Sequence, residues 1–76
     1  MKSFILISLN EGFSKGVIDD LKDYPQVKDV HFIFGEWDLI AEVEVANSEE
    51  LYSFVVDKLR ARGDVKLTSS LIVAGQ

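Results

Sequence analysis

Gly35, Trp37 and Asp38 lie side by side in the stretch FGEWDLIAEV, residues 34–43, between two runs that read as β-strand. Glycine permits backbone that other residues resist, and a carboxylate can accept backbone N–H groups or pair with a ligand's ammonium. An indole ring offers apolar or cation-π contact. These residue types serve equally to close a hairpin or to hold a small polar molecule, and the types alone leave both readings open.

The other reactive side chains do not form a catalytic set. His31 is the single histidine, and a lone histidine on a strand is more often packed or solvated than catalytic. Ser69 and Ser70 have no base at a recognisable spacing, which leaves nucleophilic chemistry unsupported. Glu42 and Glu44 stand two apart on one strand face, a common pattern for a solvated or interface surface. No His, Asp and Glu spacing suggests a metal site, no glycine-rich phosphate loop is present, and no cofactor is expected. With no cysteine in the chain, disulfides, zinc-thiolate sites and thiol nucleophiles are excluded together, which fits a reducing cytoplasm.

Thirteen acids against eight bases give a formal net charge of −5. Nucleic-acid backbones are bound through Lys and Arg that displace counterions, and the densest basic group here is Lys58, Arg60, Arg62 and Lys66 with Asp57 and Asp64 among them. That reads as a solvated helix end, so direct nucleic-acid binding is not expected. The opening MKSFILISLN has too short an apolar run for a signal peptide or a membrane span and reads as a first strand.

The elements that must position these residues follow from periodicity. FILISL gives a strand over about 3–9, ending in the turn chemistry of Asn10, Glu11 and Gly12. Ser14 is a candidate N-cap for a helix over about 14–24, with Val17, Ile18 and Leu21 on one face and Pro25 beyond its end. VKDVHFIF alternates Val30, Phe32 and Phe34 against His31 and Ile33. DLIAEVEVA alternates Leu39, Ala41, Val43 and Val45 against Ile40, Glu42, Glu44 and Ala46. Asn47 and Glu50 make a capping box for a helix carrying Leu51, Phe54, Val55 and Leu59, which Gly63 closes. VKLTSSLIVA is a last strand, with Val65, Leu67, Leu71 and Val73 against Thr68, Ser70 and Ile72.

The 76 residues thus form one domain, 1–76, in the order βαββαβ. Four antiparallel strands with both helices on one face make an α+β, ferredoxin-like fold. The uncovered face should then carry Ile33, Ile40 and Ile72, with either Ile5 and Ile7 or Phe4 and Leu6 from the first strand, mixed with Glu42, Glu44, Thr68 and Ser70. A face that apolar suggests two subunits laying their sheets together. A domain this small buries only roughly 60% of its unfolded surface, so help from a second subunit is a reasonable expectation.

YPQVKDVHFIFGEWDLIAEVEV, residues 24–45, closely resembles the effector-binding (RAM) domain of the Lrp/AsnC transcriptional regulators. Their pattern is Pro-x-Val, a hydrophobic strand, then Gly-x-aromatic-Asp and another strand; here these are Pro25, Val27, Gly35, Trp37 and Asp38. The tail GDVKLTSSLIV resembles the family's closing segment. Two departures stand out: RGDV replaces the common Pro-Gly-Val before the last strand, and Trp37 stands where tyrosine is frequent.

The resemblance implies a dimeric α/β-barrel type of association and a stand-alone version of the effector-binding half, without the family's helix-turn-helix domain. It implies a ligand site at contacts between dimers, made here by Gly35, Trp37, Asp38, Thr68 and Ser70. The implied function is a non-catalytic, cytoplasmic module that binds an amino acid and forms a dimer or a ring of dimers, in company with a DNA-binding homologue. The alternative is a small dimeric α/β-barrel enzyme, monooxygenase- or isomerase-like. Such an enzyme would place His, Asp, Tyr or Asn between helices and sheet, where this sequence offers mostly Ile, Val, Phe and Leu.

Overall fold

The structure, a computed structural model, describes residues 1–12 and 15–75. Its elements are β1 (Lys2–Leu9), α1 (Val17–Lys22), β2 (Val27–Phe32), β3 (Leu39–Glu44), α2 (Ser48–Phe54) and β4 (Val65–Ile72), and α2 runs on into a π-helical turn, Val55–Leu59. The four strands form one antiparallel sheet in the order β2-β3-β1-β4. This is the ferredoxin-like arrangement. Ser14, the expected N-cap, lies outside the described residues.

β1 sits inside the sheet, and its strict alternation fixes the two faces. Ser3, Ile5, Ile7 and Leu9 are buried, while Lys2, Phe4, Leu6 and Ser8 are half-buried on the other side. The buried set packs with Leu39, Ala41 and Val43 of β3 and with Val17, Leu21, Leu51, Phe54 and Leu59 of the helical segments. Each aliphatic side chain fully removed from water contributes about 1.5–3 kcal/mol. Tyr24 meets Phe54 edge to face, with ring centres 5.5 Å apart, and joins the ends of the two helices. The choice left open for β1 is resolved: Phe4 and Leu6 belong to the uncovered face.

Two register shifts alter the expected alternation. In β2, Val27 pairs with Val43 and Asp29 with Glu42, so an extra residue is absorbed and Val27 and Val30 both turn toward the helices. The strand ends at Phe32, and Phe34, grouped by alternation with Val30, leaves the sheet fully exposed. In β4 the shift falls beside Ser8 and Leu9 of β1: Val65 pairs with Leu9, but Leu67 pairs with Ser8. Val65 therefore faces the helices, whereas Leu67, Ser69 and Leu71 share the uncovered face with Phe4, Leu6 and Ser8.

By the same register Thr68, Ser70 and Ile72 pair with Ile7, Ile5 and Ser3 and lie on the helix side. The expected grouping of Ile72, Thr68 and Ser70 with Ile33 and Ile40 on the open face is thus corrected. A bulge shifts the alternation of every residue beyond it by one.

The helices differ at their ends. α1 ends at Lys22, short of the expected 24, because the amides of Asp23 and Tyr24 bond back three residues to Asp20 and Leu21 and tighten the chain into a turn before Pro25. At α2, Asn47 Oδ1 accepts the Glu50 amide at 2.8 Å. Glu50 Oε2 reaches back to the amide of Ala46 rather than of Asn47, at 2.9 Å, so the capping box is made one residue wider. Arg60 N–H bonds Val55 O, five residues back, and the widened turn keeps Leu59 on the stripe begun by Leu51 and Phe54. Gly63 does not take a left-handed conformation; its carbonyl accepts the side-chain amide of Asn10 at 2.9 Å.

The RGDV corner is built around Arg62. Its guanidinium holds Asp64 through two parallel bonds of 2.9 Å and also reaches Asp20 of α1 at 3.1 Å. Arg62, expected on a solvated helix end, is four-fifths covered. Its hydrogen bonds hold Asp64 below the usual carboxylate range against the opposing effect of burial. Arg62→Ala is expected to cost about 1.5–3 kcal/mol, the range for hydrogen bonds to charged groups. Because the folded-state pKa of Asp64 is depressed, the pair's contribution is complete above the ordinary carboxylate range and disappears as pH falls through the lower folded value. Denaturant unfolding at pH 7 and at stepwise lower pH should show the gap between wild type and variant narrowing only below that range.

Candidate functional site

The turn between β2 and β3 is shaped by Gly35, whose φ of +124° lies where side-chain-bearing residues are rarely found. A Cβ there would meet nothing within 4 Å, so the glycine answers a conformational need rather than a crowding one. Asp38 closes the turn on three sides. Its carbonyl accepts Ile33 N–H at 3.0 Å, its amide donates to Ile7 O at 2.9 Å, and its carboxylate Oδ2 accepts Leu9 N–H at 2.7 Å. The side chain thus extends the β1–β3 ladder past the last paired residues, Ile7 and Leu39. Among the described residues Oδ1 accepts no hydrogen bond. Trp37, beside it, is half-buried.

Thr68 and Ser70 stand on the other side of β1. Ile7 is paired with Leu39 on one flank and with Thr68 on the other, which puts the Asp38 and Thr68 backbones about 10 Å apart, two interstrand spacings. Ser70 is two residues further along and lines a groove between α2 and β4 with Ser48, Leu51, Tyr52, Val55, Val56, Arg60 and Ile72, of about 240 Å³. Gly35, Trp37 and Asp38 are not among its walls. One chain therefore brings the turn residues together at one end of the sheet and sets Ser70 apart from them in a separate groove.

On the uncovered face, Phe4, Asp29, His31, Ile40 and Glu42 line a smaller depression of about 130 Å³. His31 Nε2 lies 3.0 Å from Asp29 Oδ2, the histidine largely exposed and the aspartate half-buried, and Lys2 Nζ stands over the Phe4 ring at 5.6 Å. Among the described residues no group of three His, Cys, Asp or Glu side chains could hold a metal ion, and no helix is long and apolar enough to cross a membrane. The α2–β4 groove escaped the sequence reading. Its signal lies in Val56 and Arg60, which fall off the main apolar stripe of α2 yet flank one another four residues apart.

The sequence profile described as the Lrp/AsnC ligand binding domain matches residues 2–76. An uncharacterised HTH-type transcriptional regulator of Pyrococcus furiosus is 36% identical over 58 residues, covering 76% of this chain and 39% of that protein. The HTH-type transcriptional regulator FL11 of Pyrococcus horikoshii is 32% identical over 73 residues, 96% of this chain and 48% of that one. The chain thus spans less than half the length of these relatives. Among solved structures, the crystal structure of FFRP-DM1 superposes with a TM-score of 0.87 at 32% identity, covering 95% of this chain and 96% of the other. With its Gly-x-Trp-Asp turn set in a βαββαβ sheet and a profile match along almost its whole length, the chain belongs to the Lrp/AsnC family, as a ligand-binding domain.

Proposed function

We propose that this domain binds an amino acid without transforming it, and that the bound ligand biases how copies assemble in the service of a transcriptional regulator, with a DNA-binding homologue as partner. The observation that carries the reading is the Asp38 carboxylate. One oxygen is committed to Leu9 N–H, which holds the group in place at the rim of the sheet, and the other is available to an α-ammonium. Backbone N–H groups around Gly35 suit an α-carboxylate, and Trp37 supplies an apolar wall. Thr68 and Ser70 lie across β1 from this turn, so hydroxyls from a second copy are the natural way to complete the shell. The family match and its HTH-type relatives support the regulatory setting.

The uncovered face supports assembly. Phe4, Leu6, Ile40, Leu67 and Leu71, with Ile33 by continuation of its strand, make it an apolar patch of the kind that marks an interaction site. We assign it to face-to-face pairing of two sheets. Between helices and sheet, the buried side chains of the described residues are apolar apart from Ser3, which favours a binding module over the barrel-enzyme reading.

Thermal-shift screening against the twenty amino acids is the first test, since a ligand at 100 times its Kd adds about 2.7 kcal/mol to the native state; no shift with any of them would sink the amino-acid reading. Asp38→Asn keeps an acceptor for Leu9 N–H while removing the charge. It should melt near wild type and bind the effector about 1.5–3 kcal/mol more weakly by isothermal titration. Wild-type affinity in that variant would make Asp38 a turn residue only. Ile40→Glu places a charge in the paired sheet face and should weaken association; light scattering giving 8.5 kDa for the wild type at micromolar concentration would refute the pairing.

A further inference from the structure

Phe34 is the most exposed large apolar side chain of the described residues. It stands at the tip of the β2–β3 turn, beyond the last strand pair, where a fully hydrated phenyl ring contributes no burial to its own fold. The groove between α2 and β4 has the opposite character. Its floor is Leu51, Val55 and Val56, and it is open to solvent with Tyr52 and Ile72 largely exposed at its edge. The π-helical turn, in which Arg60 N–H reaches back to Val55 O, lies along its wall, and such turns recur at functional sites.

We infer that the Phe34 ring of one copy seats in the α2–β4 groove of a second copy. Size agrees: the groove holds about 240 Å³, and a cavity of about 150 Å³ accepts a benzene ring. Charge agrees as well. Glu36 follows Phe34 at the turn tip, Arg60 stands on the groove wall, and neither makes an ion pair among the described residues. The occupant must come from another copy. β2 and β4 are the two edges of the sheet, three interstrand spacings or about 14 Å apart, and no rotamer of Phe34 spans that. Knob and groove are different surfaces, so the contact closes either reciprocally within a pair or head to tail around a ring. It also carries the Gly35–Asp38 turn of one copy toward Ser70 of the next. The inference stands apart from amino-acid binding and from the sheet-face pairing.

The test is a complementation by sedimentation velocity over a concentration series. Phe34→Ala removes the knob and Ile72→Glu spoils the groove. Both sites are exposed, so melting temperatures should stay close to wild type, and Val56→Asp serves as a second groove variant should Ile72→Glu misfold. Each single variant is expected to weaken self-association about tenfold or more, the loss typical of truncating an anchor residue. Mixing Phe34→Ala with Ile72→Glu should restore a complex, because one intact knob then meets one intact groove. Phe34→Ala assembling as the wild type does, or a mixture that behaves as the sum of its parts, would overturn the proposal. Ile40→Glu run alongside separates the two surfaces: if it alone weakens association, the sheet-face pairing survives and the knob does not.

Discussion

The register of β1 against its two neighbours is the constraint on which the rest of this domain depends. A strand's side chains alternate with period two, so a slip of one residue exchanges what faces the helices with what faces out. β1 is hydrogen-bonded on both flanks and commits Ser3, Ile5, Ile7 and Leu9 to the core. β3 follows with Leu39, Ala41 and Val43. The edge strands cannot follow without adjustment, because each must also meet a loop fixed elsewhere. Each takes it as a bulge, between Val27 and Asp29 in β2 and beside Leu9 in β4. The second of these puts Val65 in the core, turns Leu67 and Leu71 outward, and delivers Thr68, Ser70 and Ile72 to the helix side.

The corner that fixes the β4 bulge is polar. Arg62 grips Asp64 with two parallel bonds and Asp20 with a third, Asn10 N–H bonds Asp64 O, and the Asn10 side chain bonds Gly63 O. The loop after β1, helix α1 and the approach to β4 are thereby tied at one point. A proline in this loop would set the chain's direction through its own ring. RGDV does the same work through charge, with a guanidinium fork whose planar geometry fixes direction as well as distance.

Much of this was legible because it is local. The βαββαβ order, the Asn47 and Glu50 cap and the whole inward set of β3 follow from periodicity and capping rules that need only neighbours in sequence. The family pattern around Gly35, Trp37 and Asp38 was legible for the same reason. What failed was non-local. VKLTSSLIVA reads as one uninterrupted alternation, and nothing within it announces that its first residue pairs out of step with the rest. Ile72 was therefore placed on the wrong face. Phe34 was grouped with Val30 by parity, yet the strand stops two residues before it. Arg62 looked like one of several solvated cations, since its partners Asp20 and Asp64 come together only in the folded chain.

The same register sets the parts of the proposed site apart within one chain. Ile7 lies between Leu39 and Thr68, so the carboxylate that could meet an ammonium and the hydroxyls that could complete its shell are divided by the most buried strand of the sheet. No side-chain rearrangement moves Asp38 across β1, because its carboxylate is also the acceptor that continues the β1–β3 ladder to Leu9. Removing that carboxylate leaves a strand-end amide without its partner and, in the proposed function, a ligand without its counter-charge. Under the proposed function, such a fold would gain a ligand-sensitive assembly without a moving part, since a shell completed between copies exists only when the copies meet. Ligand affinity and association would then be one coupled equilibrium, each strengthening the other by the same factor.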